Sequence, residues 1–461
     1  MKNMTIREII QATKAKVVSV EGLDLILDKT VSHITQDSRE VTENSLFLAI
    51  EGERLDGHTF VSSCIEKGVV ACLVSKVSVP SAGSILLLVP DVKQALLKLA
   101  VHYRNKFDIP FIGITGSVGK TTTKDMIASV LGQKYDVLWT QGNYNNELGV
   151  PLTLFRLEDH HEVAVIEMGM NHFGEIHALA EVVRPQVGLI SNVGVAHIEY
   201  LGSREGIMQA KCEMFDFMPE DGVAILNADN DMLITLDGTL PQKLRWFGVA
   251  NRKGIYAEKL ENLGMEKTKC SVHTPIGSFE AIVPIPGEHM VLNALSAVSV
   301  GIEMGLSLEE MKVGIETFVP TKNRMNVMKL ENQMTILNDV YNANPVSVKA
   351  SLDILVNAPG RKVAILGFMG ELGDFAPDMH EEVGAYAAEK CIDLLFCIGK
   401  LSDKMAQGAK KKGMAEVFCY DSQEEFWKQG LGMLKKGDAI LVKASRSMAL
   451  EKTVEKIQGV N

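Results

Sequence analysis

A chain of 461 residues, 46% apolar and 23% charged, has the make-up of an ordinary globular protein and is long enough for about three domains with separate cores. Its formal charge of −11 argues against a nucleic-acid or anionic-membrane surface, so an anionic ligand must be gripped by local lysines, arginines and backbone donors. The seven cysteines, at 64, 72, 212, 270, 391, 397 and 419, show neither metal-ligand spacing nor a framework of pairs, and read as reduced, mostly buried thiols.

The opening Met1-Lys-Asn-Met-Thr-Ile-Arg-Glu-Ile-Ile has no apolar leader core, and aliphatic runs such as Ile85-Leu-Leu-Leu-Val89 are too short to span a bilayer. A cytoplasmic monomer without stable membrane association is expected. Residues 1–108 mix short strands with helices and end in a helical stretch over 92–106.

A second part, residues 109–318, begins with an apolar run and then Gly113-Ile-Thr-Gly-Ser-Val-Gly-Lys-Thr121, followed by a helical pattern. Strand, glycine loop and helix in that order make a phosphate cradle. The loop and helix N–H groups face the anion, Lys120 reaches the terminal phosphates, and Thr121 offers a hydroxyl to Mg²⁺. The general pattern wants a glycine at position 114, which is Ile; the core Gly116-x-x-Gly119-Lys-Thr is intact, so the loop reads as a tight variant. A nucleoside triphosphate is the expected ligand. Strands at 111–115, 163–166, 187–190 and 223–226 alternate with helices in the rhythm of a doubly wound parallel sheet.

Ligands of such sheets gather beyond the carboxyl ends of the strands. There the sequence delivers Gly116–Thr121, then Glu167-Met-Gly-Met-Asn-His, then Asn192-Val-Gly-Val-Ala-His197, with Gln209-Ala-Lys-Cys-Glu213 soon after. A carboxylate and an imidazole beside a phosphate loop suggest coordination of Mg²⁺ and its waters. Taken singly, Glu167 is as consistent with a helix cap, and His197 with a hydrogen-bonded structural role. A break near Phe318-Val-Pro-Thr-Lys-Asn323 marks a linker. The third part, residues 319–461, repeats the rhythm with strands at 334–337, 363–366, 394–398 and 439–442. Its Gly367-x-x-Gly370-x-x-Gly373 lacks the close glycine pair of a dinucleotide fingerprint, so the Rossmann-like rhythm does not imply NAD.

The set Gly116-x-x-Gly-Lys-Thr-Thr122, Gly142-Asn-x-Asn-Asn-x-x-Gly-Val-Pro151, Glu167-Met-Gly, Asn192-Val-Gly-x-Ala-His197, Ala210-Lys-x-Glu213, Gly287-Glu-His-Met-Val-Leu-Asn293, Arg324 and Val442-Lys-Ala-Ser-Arg446 resembles the Mur ligases, ATP-dependent amide-forming enzymes of peptidoglycan synthesis. The resemblance spans essentially the whole chain. It implies three α/β domains, namely a mixed α/β domain for a uridine-diphosphate substrate, a central P-loop mononucleotide-binding parallel sheet, and a Rossmann-like C-terminal domain. Within the family, Asp339-Val-Tyr-Asn-Ala-Asn-Pro345 and Leu366-Gly-Phe-Met-Gly-Glu-Leu-Gly373 look like the branch that joins D-alanyl-D-alanine to UDP-N-acetylmuramoyl-tripeptide. The Asp-Asn-Pro-Arg motif of the diaminopimelate-adding branch is absent.

By that resemblance, ATP would be held by Gly116, Ser117, Gly119, Lys120, Thr121, Thr122, Asn293, Arg324 and Asp339. Thr121 and Glu167 would hold one Mg²⁺; His197 and Lys211, the latter as a carbamate, a second. Lys120, Glu167, His197 and Lys211 would be the catalytic set. Asn143, Asn145, Asn146, Tyr341 and Asn344 would contact the muramoyl peptide or complete the site from across the linker. Ser38, Arg39, Arg54, Asp56 and His58 would hold the uridine diphosphate, the arginines as fixed positive forks. Other readings are a ligase of the same superfamily with a different amine, a nucleotide-dependent regulator, or a catalytically silent binding protein.

Overall fold

The computed structural model describes every residue except 20–25, 53–54, 78–84, 322 and 460–461. Among the described residues three large sheets follow one another along the chain, beside a two-stranded pair of Met4–Thr5 and Thr30–Val31. The first has five strands in the order Lys16–Ser19, Ile85–Leu88, Ala71–Val74, Ser45–Leu48, His33–Thr35, parallel except for the antiparallel edge Lys16–Ser19. Helix Val92–Arg104 leads out of it, started by Asp91, whose side chain accepts from the Gln94 N–H.

The central sheet has nine strands, and its order explains where the site lies. Strand Phe111–Thr115 sits between Val187–Ile190 on one side and Val163–Glu167 on the other, and all three run parallel. Strand order therefore reverses at the strand that feeds the phosphate loop, and a crevice opens there. Covered on both faces, these strands are apolar at successive positions, and the pleat divides them between two cores. Ile112, Ile114, Val163, Val165 and Leu189 pack on one side with Met126, Val130, Ala294 and Val298, from helices Lys120–Leu131 and Glu288–Glu303. Phe111, Ala164, Ile166 and Ile190 face the other way, toward helices Glu175–Val183 and Val92–Arg104. That second core runs on into the first sheet, so the first two parts are packed as one mass.

Beyond Val223–Asn227 and Lys243–Gly248 the sheet turns antiparallel through Ile255–Leu263, Lys267–Thr274 and Gly277–Val283, an edge the alternating rhythm did not announce. The third sheet has six strands in the order Asn326–Lys329, Thr335–Asn338, Ala439–Lys443, Lys362–Gly367, Leu394–Ile398, Val417–Tyr420, parallel except at the first pair. Its Leu337, Leu366 and Met369 join the same core as Met290 and Val291, across the region read as a linker. No helix among the described residues is long and apolar enough to cross a membrane.

Candidate functional site

A cavity of about 600 Å³ lies between the carboxyl ends of the central strands and the third sheet. One wall is the phosphate loop. Gly119 takes φ +79° and heads helix Lys120–Leu131, which no side chain caps, so the first-turn N–H groups open onto the cavity. The loop is fixed from behind. The Ser117 N–H donates to the Asn192 carbonyl (3.1 Å), the Val118 N–H to Asn192 Oδ1 (2.9 Å), and the Gly194 N–H to Ser117 Oγ (2.9 Å). Asn192 Nδ2 returns a bond to the Val118 carbonyl (2.8 Å). Gly116 is packed so closely that a Cβ there would stand 2.0 Å from Ser191 Oγ.

Lys120 donates to the Gly116 carbonyl at 2.8 Å, curled over its own loop, and burial pushes its ammonium below the usual range. Thr121 is buried, and its hydroxyl accepts from Arg324 Nη2 at 2.9 Å. Arg324 also lies over Tyr341, its guanidinium carbon 3.8 Å from the ring centre, so a residue beyond the linker reaches the loop. Thr122 lines the wall, while Thr123 donates to Asn293 Oδ1 at 3.0 Å and aligns that amide beneath Gly119.

Glu167 ends its strand 1% exposed. Oε1 accepts from Asn145 Nδ2 at 2.7 Å, whereas Oε2 is buried without a hydrogen-bond partner. An orphaned carboxylate oxygen beside a phosphate loop is an unmet demand for a cation. Lys211 presents the complementary oddity. It is 1% exposed, and no hydrogen bond or ion pair to its ammonium is present among the described residues. Burial, and then the charge of Lys120, push it well below the usual lysine range. It stands behind the wall, not in the lining. The orphaned Glu167 oxygen and the Thr121 hydroxyl are donors of the kind that suits Mg²⁺.

His197 sits at φ +66° and brings Nδ1 to 2.7 Å from Glu371 Oε2, a contact between the central sheet and the third. Glu371 is itself in left-handed backbone, φ +61°, a conformation costing roughly 1–3 kcal/mol in a non-glycine residue. Asp339, expected near a ribose, is 8% exposed and heavily engaged: Oδ2 accepts from Ser351 Oγ (2.9 Å) and pairs with Lys443, and Oδ1 accepts from the Met325 N–H. His289 also lines the cavity, and burial pushes its ring down to about 4, leaving it neutral at ordinary pH.

Of the asparagines, Asn143, Asn145, Asn146 and Asn344 line the cavity, but two have structural duties. Asn146 Oδ1 accepts from the Gly149 N–H (2.9 Å) at the start of helix Gly149–Leu154. Asn344 Oδ1 accepts from Ser347 N (2.9 Å) in a reciprocal cap of helix Pro345–Leu355. The described residues of the first part stand apart; none of them lines the cavity. Arg39 is tied to Asp37 (2.6 Å), the Ser38 carbonyl accepts from Lys67 (2.6 Å), and Asp56 holds His58 Nδ1 at 2.6 Å while Ser75 N donates to Nε2. Arg54 lies outside the described residues. Asn192, Lys443, His289 and Glu371 were passed over as site residues although each lies in a motif quoted above. Their signal was position at a strand end or helix start, which tertiary contact alone turns into a role.

Comparison with known proteins agrees with this arrangement. Residues 30–104 match the Mur ligase family catalytic domain, 114–301 the Mur ligase middle domain, and 323–446 the Mur ligase glutamate ligase domain. The chain is 35% identical over 460 residues to the UDP-N-acetylmuramoyl-tripeptide–D-alanyl-D-alanine ligase of Bacillus subtilis (strain 168), covering 99% of this chain and 98% of that one. It is similar in structure to MurF from Acinetobacter baumannii (TM-score 0.93, 31% identity, 100% of each chain). It is also similar to MurF ligase from Thermotoga maritima in complex with ADP (TM-score 0.82, 28% identity, 93% of this chain and 97% of that one). Three domains in family order, a phosphate loop at the switch point and near-complete coverage lead to one conclusion, that the chain belongs to the Mur ligase family.

Proposed function

We propose that this chain is an ATP-dependent ligase that joins D-alanyl-D-alanine to UDP-N-acetylmuramoyl-tripeptide, yielding ADP and phosphate, in cytoplasmic assembly of the peptidoglycan precursor. The observation that carries the reading is the meeting, in one cavity, of an uncapped helix start with a buried carboxylate oxygen that has no partner. The first accepts phosphates; the second demands a cation. The Bacillus subtilis relative, a UDP-N-acetylmuramoyl-tripeptide–D-alanyl-D-alanine ligase, supplies the substrates.

In this reading the division at residues 109–318 separates the ATP-binding domain from a uridine-diphosphate domain before it and a Rossmann-like domain after it. The carboxylate of the tripeptide attacks the γ-phosphorus of ATP, ADP leaves, and an acyl phosphate forms. The amine of the dipeptide then attacks the acyl carbon and phosphate departs. Two anions must meet in the first step, so catalysis is mainly positioning and charge neutralisation. Lys120 swings from the Gly116 carbonyl to the transferring phosphoryl group, and the first-turn N–H groups hold the phosphates. Asn293 is fixed by Thr123 to face the base. Arg324, anchored on Tyr341, follows the phosphates when the third domain closes. Thr121 and Glu167 would hold one Mg²⁺, and His197 with carbamylated Lys211 a second. Bound there, Mg²⁺ supplies charge neutralisation at the phosphates and the substrate carboxylate. Once its ammonium has given up a proton, the Lys211 amine takes up CO₂, forming an N–C bond, releasing a second proton and becoming an anionic ligand.

Phosphate release measured with ATP, Mg²⁺ and UDP-muramoyl-tripeptide tests the assignment across a panel of amines. D-Alanyl-D-alanine should support turnover; free D-alanine and meso-diaminopimelate should not. Equal rates with all three would defeat the specific assignment and leave the family.

A further inference from the structure

The second half of the reaction needs something the residues named so far do not provide. The incoming dipeptide arrives as an ammonium, and the phosphate loop, Lys120 and Arg324 surround its target with positive charge. An ammonium entering that wall is repelled unless a carboxylate receives it.

Four carboxylates line the cavity among the described residues, and their partners separate them. Glu167 is buried and held by Asn145, so it is closed to an incoming amine. Glu175 is spent at its own helix start, with Oε2 accepting from the Asn171 N–H (2.7 Å) and Oε1 meeting His172 (3.2 Å). Asp339 is enclosed by Ser351, Lys443 and the Met325 N–H. Glu371 differs. Its side chain is 43% exposed, Oε2 lies 2.7 Å from His197 Nδ1 as an ion-pair contact without hydrogen-bond alignment, and no hydrogen bond to either oxygen is present among the described residues.

The chain also takes trouble to hold Glu371 where it is. Its left-handed backbone lies between Met369, whose N–H donates to His380 Nε2 (3.0 Å), and Gly370, whose N–H donates to Ser445 Oγ (2.8 Å) on one side, and buried Leu372 on the other. Gly373 then packs on Glu199 of the central domain, where a Cβ would come within 3.3 Å. A strained residue fixed on both sides, projecting from the third domain to a central-domain histidine, is placed for function and not for packing.

We propose that Glu371 receives the ammonium of the incoming dipeptide and holds it beside His197, where it gives one proton to solvent and the resulting amine attacks the acyl carbon as phosphate leaves. This rests on the ligase reading above and extends it to the amine subsite. The carboxylate cancels the repulsion of the surrounding cations, and domain closure delivers the amine together with the residue that binds it.

The test separates the two half-reactions. Hydroxylamine is uncharged at neutral pH and traps an acyl phosphate as a hydroxamate, so it has no need of an ammonium site. In Glu371→Gln, the KM for D-alanyl-D-alanine should rise about tenfold or more, as expected for loss of a charge-assisted contact. Hydroxamate formation from ATP and UDP-tripeptide should stay within about threefold of the wild type, which also shows that the variant is folded. Glu371→Asp should recover part of the dipeptide affinity. An unchanged dipeptide KM, or an equal fall in hydroxamate and dipeptide products, would overturn the proposal. Absence of hydroxamate from the wild type would instead overturn the ligase reading beneath it.

Discussion

Gly116→Ala probes the phosphate loop without touching any charged group. An added Cβ would lie 2.0 Å from Ser191 Oγ and 3.3 Å from Ser191 Cβ. Gly116 has no positive φ, so the cost is steric and not conformational. Ser191 cannot simply step aside, since its hydroxyl donates to the Val118 carbonyl (3.2 Å) and accepts from Asn192 Nδ2 (3.3 Å) in the network that shapes the loop. Relief therefore requires loop and strand end to separate by about 1 Å or more, a typical overpacking cost of about 1–3 kcal/mol. The same displacement moves the N–H groups and Lys120 off the phosphates, and misplacement on that scale costs on the order of a hundredfold in rate. Urea unfolding should show the lost stability and steady-state phosphate release the lost turnover. Ser191→Ala in the same chain removes the 2.0 Å clash and leaves the tight but tolerable 3.3 Å contact, so the double variant should regain most of both. A Gly116→Ala enzyme as active and stable as the wild type would refute this account of the loop, as would a double variant no better than the single one.

Three further outcomes follow from the same geometry. Lys120→Ala should lose roughly 3–4 kcal/mol of transition-state stabilisation with an unchanged circular-dichroism spectrum, and near-normal turnover would remove Lys120 from the chemistry. Lys211→Ala should be severely impaired and partly restored by short carboxylates such as formate; ¹³CO₂ labelling of the wild type should give a carbamate signal that the variant lacks. Glu8 lies beside Lys106 (2.6 Å) and closes the cap of helix Ile6–Thr13. Burial opposes its ionisation, but the bonds from Lys106 and Thr5 win and hold its carboxyl down to about 2 against 4.5. A depressed carboxylate contributes stability that is present above pH 4.5 and lost as pH falls toward 2. With a side chain 31% exposed, that contribution is about 1 kcal/mol after screening. Glu8→Gln should remove it at pH 7 and flatten acid unfolding over that window; an unchanged acid limb would refute the assignment.

The sequence was most legible where both faces of an element are buried. Phe111–Thr115 and Leu394–Ile398 appear with the bounds their unbroken apolar runs predicted, because a fully covered parallel strand has no polar face to blur its ends. Edge elements escaped. Ile255–Leu263 is exposed along much of its length, and Val137–Trp139 and Asn326–Lys329 are short, so their patterns merge with those of loops. The phosphate loop was legible because glycine, lysine and threonine are tied to fixed backbone roles. Glu167 and Lys211 could be singled out, but not the features that matter: a Glu167 oxygen without a donor and the near-complete burial of Lys211. Asn344, expected at the site, stands in the cavity wall and in a helix cap at once. Glu371 acquires its meaning only through His197, 174 positions away in sequence by subtraction of their numbers, a pairing no local pattern records.

The central claim is that the tripeptide carboxylate is activated by phosphoryl transfer inside this cavity. It is tested most directly by labelling the terminal carboxylate of UDP-muramoyl-tripeptide with ¹⁸O and analysing the phosphate released during ligation to D-alanyl-D-alanine. An acyl phosphate keeps one carboxylate oxygen in the amide carbonyl and hands the other to phosphorus, so each phosphate from fully labelled substrate should carry one ¹⁸O. Unlabelled phosphate, with the label retained in the peptide, would contradict the mechanism.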